Sequence, residues 1–176
     1  MSQTHTVTNL DGSVTELSEI PLVPGRLERL FRALFTEHWR QIVFGPCVAG
    51  AVFEIQLTAP PTKVAMMDGY LTVDTGPWHF HLCIDRHTDV PVPEMAQQRQ
   101  TARAAFFQDT RSSGHVPGSW GLRLWNGLGE QMITVFFPNP YLSDEMKILR
   151  EPDWSRLELW NSLRQQYTTA AEPAEA

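Results

Sequence analysis

Residues 78–84 read Trp-His-Phe-His-Leu-Cys-Ile and carry the clearest structural signal in the chain. Apolar and polar side chains alternate along them, which is the pattern of a β-strand with one buried face. The apolar positions predict a face that packs into the core: Trp78, Phe80, Leu82 and Ile84. The positions between them predict a second face with three potential ligands about 6–7 Å apart: His79, His81 and Cys83.

Other segments with strand patterns lie on both sides of this one. The predicted strands before it span 48–57, 64–67 and 70–73. The connections are short and rich in Gly and Pro, so they join antiparallel neighbours. Further on, strands at 120–125 and 131–137 flank a Gly-rich turn and predict a strong hairpin.

Three segments have helical spacing. Apolar side chains recur at i, i+3, i+4 and i+7 over 27–42, and Gly45-Pro46 follows as a stop signal. Residues 94–108 resume this spacing with weaker amphipathicity, and 154–167 predict a closing helix. The fold class predicted from these elements is α+β, a single domain with a mainly antiparallel sheet and about three helices.

The length of 176 residues suits one domain of ordinary size. Residues 1–24 are polar and predict an N-terminal segment or a small hairpin around Asp11-Gly12. The α+β domain is expected to span 25–167, and 168–176 read as a disordered acidic tail.

Composition excludes several classes of protein. Hydrophobic residues make up 42% of the chain, which supports a packed core and argues against disorder. The net charge of −6 gives no sign of a nucleic-acid partner or an anionic membrane surface. Six Trp and nine Phe indicate an aromatic core, an aromatic-walled pocket, or both.

The expected location is the cytoplasm, away from any membrane. The N-terminus has neither the cationic start nor the apolar run of a signal peptide, and no apolar run is long enough to span a bilayer. Cys47 and Cys83 are therefore expected as reduced thiols. The motifs of structural zinc sites, dinucleotide-binding folds, P-loops and serine hydrolases are not present in the sequence.

A ligand site is predicted on the polar face of the 78–84 strand. Imidazoles two residues apart on a strand can converge on one ion, and imidazole suits Fe, Zn, Cu and Ni. With the softer thiolate of Cys83, His79 and His81 form a candidate set of transition-metal ligands. The alternative is a strand that simply turns its polar side chains to solvent.

His38 is a fourth candidate metal ligand. It occupies the apolar stripe of the first predicted helix, where a leucine would be expected. One interpretation is that this helix covers a pocket and that His38 faces into it. The other is that a backbone carbonyl accepts a hydrogen bond from its ring.

Arg123 and Trp125 are candidate cofactor-binding residues. They alternate with the leucines of the strand 120–125, so they share its other face. If the leucines face the core, Arg123 lies on the same sheet surface as the histidines, where a guanidinium suits a carboxylate or propionate. Alternatively, Arg123 pairs with Glu130 across the hairpin. Glu54 is open to several interpretations: a ligand, a general base or a salt-bridge partner.

Two family resemblances attach to these residues. The segments 76–84, 117–127 and 129–132 resemble an uncharacterised bacterial family for which no activity is established. The order of features is similar to that of haem-utilisation and haem-degrading proteins of the ChuX/HutX/HemS type. The corresponding segments here are Val52-Phe53-Glu54, Asp68-Gly69-Tyr70, 79–82, 126–130 and 133–137.

The second resemblance implies that haem lies on an apolar sheet surface. It implies His79 or His81 as the axial ligand and Arg123 near a propionate. The Arg-Pro-Phe-Met-type segment of that family is missing here, and a stretch with Arg99 and Arg103 takes its place.

Three hypotheses about function follow. The first is a haem- or tetrapyrrole-binding protein that acts in delivery or turnover. The second is a mononuclear metal-dependent enzyme or metal carrier that uses His79, His81 and either Cys83 or an acidic residue. The third is a non-catalytic interaction module, and an uncovered sheet edge would allow a homodimer.

Overall fold

A computed structural model describes residues 4–48, 50–110 and 118–169. These residues contain three α-helices: α1 (Arg26–Thr36), α2 (Pro93–Arg99) and α3 (Glu158–Thr168). Short 3₁₀ turns lie at Trp39–Gln41 and Trp154–Leu157. The strands are β1 (Thr4–Thr8), β2 (Val14–Glu19), β3 (Val43–Gly45), β4 (Cys47–Val48), β5 (Ala51–Val52), β6 (Lys63–Met67), β7 (Tyr70–Asp74), β8 (His79–Cys83), β9 (Thr101–Thr110), β10 (Ser119–Asn126) and β11 (Gln131–Phe136). The predicted α+β class is confirmed.

Six strands form the main sheet, in the order β1-β2-β9-β10-β11-β3, and every neighbouring pair is antiparallel. The N-terminal hairpin belongs to this sheet, because β2 pairs with β9. At the other end of the chain, α3 reaches Thr168, while residues 170–176 of the predicted tail lie outside the described residues.

A second sheet contains β6, β7 and β8 in chain order, again antiparallel. Asp68-Gly69 and Gly76-Pro77 form its two turns. Both turn residues Asp68 and Gly69 have positive φ, at 45° and 80°, as a tight hairpin turn requires. A Cβ at residue 69 would also lie 2.6 Å from the carbonyl oxygen of Arg86, so glycine is needed there on two counts.

Aromatic side chains join the two sheets to the helices. The ring of Phe35 on α1 meets Phe44 edge-on at 4.9 Å and Phe80 at 5.5 Å between centroids. On the other side of the core, Trp160 of α3 donates from Nε1 to the carbonyl oxygen of Gly121 at 3.1 Å. The predicted aromatic core is thus present, with Phe80 as the contribution of β8.

The first helix ends earlier than predicted. Its last residue is Thr36, and the 3₁₀ turn and β3 follow it, so the helix does not reach Ile42. The apolar spacing continues past the helix end because Trp39 and Ile42 also pack against the core. Periodicity therefore gave no sign of where the backbone changes conformation.

The predicted helix at 94–108 is wrong in its second half. Helix α2 ends at Arg99, and β9 begins at Thr101. Strand β9 lies between β2 and β10, and all four residues from Ala104 to Phe107 are buried. A strand covered on both faces has no polar alternation, so its sequence lacks the usual strand pattern.

Two other predictions need correction. The single strand predicted at 48–57 is broken into β4 and β5, with an isolated bridge between Phe44 and Ile55. Trp78 was expected in the core but is 38% exposed, since it precedes β8 and lies beside the Gly76-Pro77 turn. Within the described residues, no helix has the length and apolar character that a membrane span requires.

Candidate functional site

The polar face of β8 is continuous with one face of β7. The register pairs His79 with Asp74, His81 with Thr72, and Cys83 with Tyr70. All these side chains share one face, because opposed residues in an antiparallel pair point the same way. Phe80 and Leu82 point to the other face and contact the core, so the predicted alternation is present.

The two histidines of β8 form a pair of exposed imidazoles. Both side chains are exposed, and their ring centroids are 5.0 Å apart with the rings nearly perpendicular. Nδ1 of His81 is 2.8 Å from the hydroxyl oxygen of Thr72 on β7. Among the described residues no hydrogen bond involves Nε2 of His81. A hydrogen bond of this kind fixes ring orientation and leaves the other nitrogen available to a ligand.

A cleft of about 350 Å³ lies beside β8, between the two sheets. We call it the β8 cleft. Its apolar walls come from both sheets and from the segment that follows β3: Phe44, Pro46, Ile55, Phe80, Leu82, Met132 and Ile133. Trp78, His79 and His81 also line it, and these three side chains are exposed. The histidine pair therefore adjoins an apolar space large enough for a small molecule.

Cys83 is buried, unlike the two exposed histidines on the same strand. It is only 2% exposed, and its Sγ donates to the carbonyl oxygen of Asp85 at 3.6 Å. Burial, together with the nearby charge of Asp68, raises the pKa of the Cys83 thiol to about 11. A metal ligand must be the thiolate, so the structure does not support Cys83 as the third donor beside His79 and His81.

A carboxylate–histidine pair anchors the segment that follows β8. Oδ2 of Asp68 accepts from Nδ1 of His87 at 2.7 Å, and Oδ1 accepts from the hydroxyl and the backbone N–H of Thr88 at 2.7 and 3.0 Å. The backbone N–H of Asp89 donates to Oδ2 at 3.1 Å. Led by those from Thr88, these bonds hold the pKa of the Asp68 carboxyl well below its usual range.

Arg99 and Tyr70 complete this polar cluster. Nε2 of His87 accepts from the Arg99 guanidinium at 3.2 Å, which leaves its Nδ1–H for Asp68. The Tyr70 ring lies 4.9 Å from the ring of His87 and 6.5 Å from that of His81. Burial and the Cys83 thiol raise the pKa of Tyr70, and interaction with Arg99 opposes that rise. The cluster is thus continuous with the histidine pair.

His38 does not join the site. The helix ends before it, and His38 is the half-buried residue at the start of the 3₁₀ turn. Its backbone N–H donates to the carbonyl oxygen of Ala33, and it does not line the β8 cleft. The expectation that His38 faces a pocket required the first helix to continue to Ile42, and α1 ends at Thr36.

Arg123 and Trp125 lie on the six-stranded sheet, away from the surface of β8. Leu122 and Leu124 face the core as predicted, so Arg123 does project from the opposite face. That face belongs to a different sheet from the histidines. NH2 of Arg123 is 3.1 Å from Oδ2 of Asp109, and its guanidinium covers the Phe107 ring at 3.8 Å.

The predicted pairing of Arg123 with Glu130 is not observed. Glu130, the predicted partner of Arg123, accepts from the side chain of Asn126 at 2.9 Å. The Trp125 ring is covered by the Arg103 guanidinium at 4.4 Å. Glu54 is exposed. In residues 4–48, 50–110 and 118–169, no group of three or more His, Cys, Asp and Glu side chains is arranged to hold a metal ion.

Four residues of the site were not predicted from the sequence: Asp68, Tyr70, Thr72 and Arg99. A signal for Thr72 was available, since a two-residue turn at Gly76-Pro77 sets the register that pairs it with His81. No comparable signal marks Arg99, because its contact with His87 depends on how the 85–92 segment folds back.

Comparison with known proteins places the chain in a family. A solved structure described as the crystal structure of ChuX is similar to this chain, with a TM-score of 0.49 and 15% sequence identity over 87% of this chain and 78% of that one. No curated protein matches the chain significantly. The model of a family of unknown function matches residues 4–169, which spans all the described residues. The chain therefore belongs to this family of unknown function, DUF7676.

Proposed function

We propose that this protein binds haem or a related metal-bearing tetrapyrrole at the β8 cleft, with Nε2 of His81 as the axial ligand. One observation carries the proposal. An exposed imidazole, held through Nδ1 by Thr72 at 2.8 Å, stands beside an apolar cleft of about 350 Å³. A macrocycle needs this combination, because it buries an apolar ring and takes a single strong donor from the protein.

The number of donors favours a chelated metal over a bare ion. A catalytic site for a bare ion such as zinc takes three protein ligands. Here the exposed face offers two imidazoles, and the Cys83 thiol beyond them is buried and keeps its proton. A tetrapyrrole already supplies four nitrogens to its metal, so one imidazole completes the attachment.

The walls of the cleft suit a planar apolar ligand. Phe44 and Phe80 contribute aromatic surface, and Met132 adds a flexible side chain that adapts to an irregular shape. The exposed indole of Trp78 provides a further flat surface beside the histidines. The volume falls in the range of small-molecule sites, roughly 300–1,000 Å³.

His81 is the better axial ligand of the two. Thr72 orients its ring, whereas no hydrogen bond to the His79 ring is present in the described residues. Oriented imidazoles lose less freedom on coordination, and removing such a hydrogen bond lowers metal affinity by about 10–100-fold. We assign His79 a secondary role, since its ring packs against that of His81 at 5.0 Å.

A titration with iron(III) protoporphyrin IX tests the proposal. The wild-type protein should give a saturable one-to-one complex with a shifted Soret band. His81→Ala should weaken this binding at least tenfold, and Thr72→Val, which removes only the hydroxyl, should weaken it by about tenfold. His5→Ala is the matched control, because His5 is also an exposed strand histidine but lies on β1 of the other sheet.

Two results would contradict the proposal. One is wild-type protein that gives no saturable Soret change. The other is His81→Ala protein that binds as tightly as the His5→Ala control. Colourless protein that purifies with stoichiometric Zn, Cu or Ni would instead favour the metal-enzyme hypothesis.

A further inference from the structure

We infer that His87 is a pH-sensitive switch, which holds α2 in place while its imidazole is neutral and releases it when the imidazole gains a proton. The switch acts on one side only. The contact of His87 with Asp68 persists, and its contact with Arg99 is lost. The inference requires no bound ligand and does not depend on the proposed function.

His87 joins two parts of the chain through its two ring nitrogens. Nδ1 donates to Oδ2 of Asp68 at 2.7 Å, at the turn between β6 and β7. Nε2 accepts from NH1 of Arg99 at 3.2 Å, at the end of α2. The ring is buried and packs edge-on against Tyr70 at 4.9 Å, so it has little room to turn away from either partner. A neutral imidazole suits both contacts, because one nitrogen donates and the other accepts.

A second proton on the ring changes the two contacts in opposite directions. It makes Nε2 a donor that faces the donor NH1 of Arg99, and it places a positive charge beside the guanidinium. The hydrogen bond to Arg99 is then lost. At Nδ1 the same proton turns the hydrogen bond with the Asp68 carboxylate into an ion pair, which is stronger. Histidine is the side chain that changes its charge between about pH 5 and 8, so the switch operates in this range.

The two partners of His87 are suited to a one-sided response. Hydrogen bonds led by those from Thr88 hold the pKa of the Asp68 carboxyl well below its usual range, so Asp68 stays ionised between about pH 5 and 8. Arg99 is exposed and has no carboxylate within ion-pair distance among the residues that the structure describes. The guanidinium therefore moves into solvent when the imidazole repels it.

The other titratable neighbours do not oppose this response. Burial raises the pKa of the Tyr70 hydroxyl and of the Cys83 thiol, so both keep their protons below pH 8. The charged side chains in the segment that contains His87 are exposed to solvent, which screens them: Asp85, Arg86 and Asp89. Asp68 and Arg99 are thus the two charges in direct contact with the ring.

Helix α2 depends on a few polar contacts for its position. It has seven residues and none of them is buried, so packing contributes little to its stability. The turn between β10 and β11 holds one side of it. There the backbone N–H of Gly127 donates to the carbonyl oxygen of Gln97 at 2.9 Å, and Nδ2 of Asn126 donates to that of Gln98 at 2.8 Å. The contact between Arg99 and His87 ties the end of α2 to the three-stranded sheet, so protonation of His87 removes that tie.

A second histidine–arginine contact in the protein lacks this property. Nε2 of His5 is 3.2 Å from NH2 of Arg103, the same distance as in the contact between His87 and Arg99. The Glu19 carboxylate also holds Arg103, with NH2 2.6 Å from Oε1. Arg103 therefore stays in place when His5 gains a proton, whereas Arg99 has no such carboxylate to retain it.

Hydrogen–deuterium exchange at about pH 7.5 and about pH 5.5 tests the switch across the range in which histidine titrates. Exchange rates are divided by those of an unfolded chain at the same pH to give protection factors. In the wild-type protein the protection of α2 should fall at least about fivefold at the lower pH, as expected for the loss of a charged hydrogen bond. The protection of residues 84–90, which the Asp68 turn holds, should stay within about twofold.

Arg99→Gln should remove the pH dependence of α2, because an amide offers an N–H to the neutral imidazole and a C=O to the protonated one. Arg86→Gln is the matched control, since it removes the same charge from another exposed residue and should keep the fall. Equal protection of wild-type α2 at the two pH values would overturn the switch, as would equal falls in Arg99→Gln and the wild type. Loss of protection in 84–90 together with α2 would also overturn it, because the release would then not be one-sided.

Discussion

Replacing Phe80 by alanine tests which side chains of β8 face the core, because Phe80 packs against the core while its neighbours His79 and His81 are exposed. The Phe80 ring is 5.5 Å from that of Phe35 and 5.4 Å from that of Phe44, so truncation removes two aromatic contacts and leaves a cavity. Buried Phe→Ala substitutions cost about 3–5 kcal/mol. Phe80 also lines the open β8 cleft, so we expect the free energy of unfolding to fall by an amount near the lower end of this range, about 3 kcal/mol.

The change should be measured by urea denaturation, followed by tryptophan fluorescence and far-UV circular dichroism. For a chain of this size, a loss of about 3 kcal/mol lowers Tm by roughly 6–12 °C. The adjacent substitution His79→Ala is the control and should change the free energy of unfolding by less than about 0.5 kcal/mol. The assignment of faces fails if Phe80→Ala costs under about 1 kcal/mol, or if His79→Ala costs more than Phe80→Ala.

Two further predictions concern titratable groups. At pH 8 a thiol reagent should modify Cys47 in the native protein and leave Cys83 unmodified until the chain unfolds. The reason is that burial raises the pKa of the Cys83 thiol to about 11. Equal labelling of the two cysteines, measured by peptide mapping, would contradict this prediction. The lowered pKa of Asp68 means that its contribution to stability is present above the unfolded-state pKa of about 3.9 and is lost as pH falls towards the folded-state value. Wild-type stability should therefore decrease more steeply than that of Asp68→Asn between about pH 4 and pH 2, and parallel urea-denaturation curves for the two proteins would refute the role of this carboxylate.

The sequence predicts well those elements whose two faces meet different surroundings. Strand β8 is one, because its core face is apolar and its other face is polar, and the turn at Gly76-Pro77 then fixes its register with β7. The face assignment of Phe80, Leu82 and the histidines follows from this pattern alone.

Strands that are covered on both faces are harder to predict from the sequence. Strand β9 is buried on each side, so its run from Ala104 to Phe107 has no alternation and its spacing also fits a helix. The end of α1 is hidden for a related reason, since Ile42 is buried whether it lies on a helix or after one.

Local sequence patterns do not predict the contacts in the candidate site between residues that are distant in the chain. The sequence identified His79 and His81, but the burial of Cys83 depends on a segment anchored to Asp68, and that contact arises only in the folded chain. The protein partner predicted for Arg123 was Glu130. Arg123 pairs with Asp109 on the adjacent strand β9, a strand that the sequence did not predict.

The position of the β8 cleft between two sheets has a consequence for dynamics. In the described residues, the walls from β8 and β11 belong to sheets that are joined through one hydrophobic core and not through strand pairing, so local opening equilibria can involve either sheet. A bound molecule that touches both walls ties these equilibria together, because opening either sheet then costs the binding energy as well. Backbone amides in β7 and β10, which are about fifty residues apart in the chain, should then slow their exchange with solvent deuterium in parallel as the ligand saturates the protein.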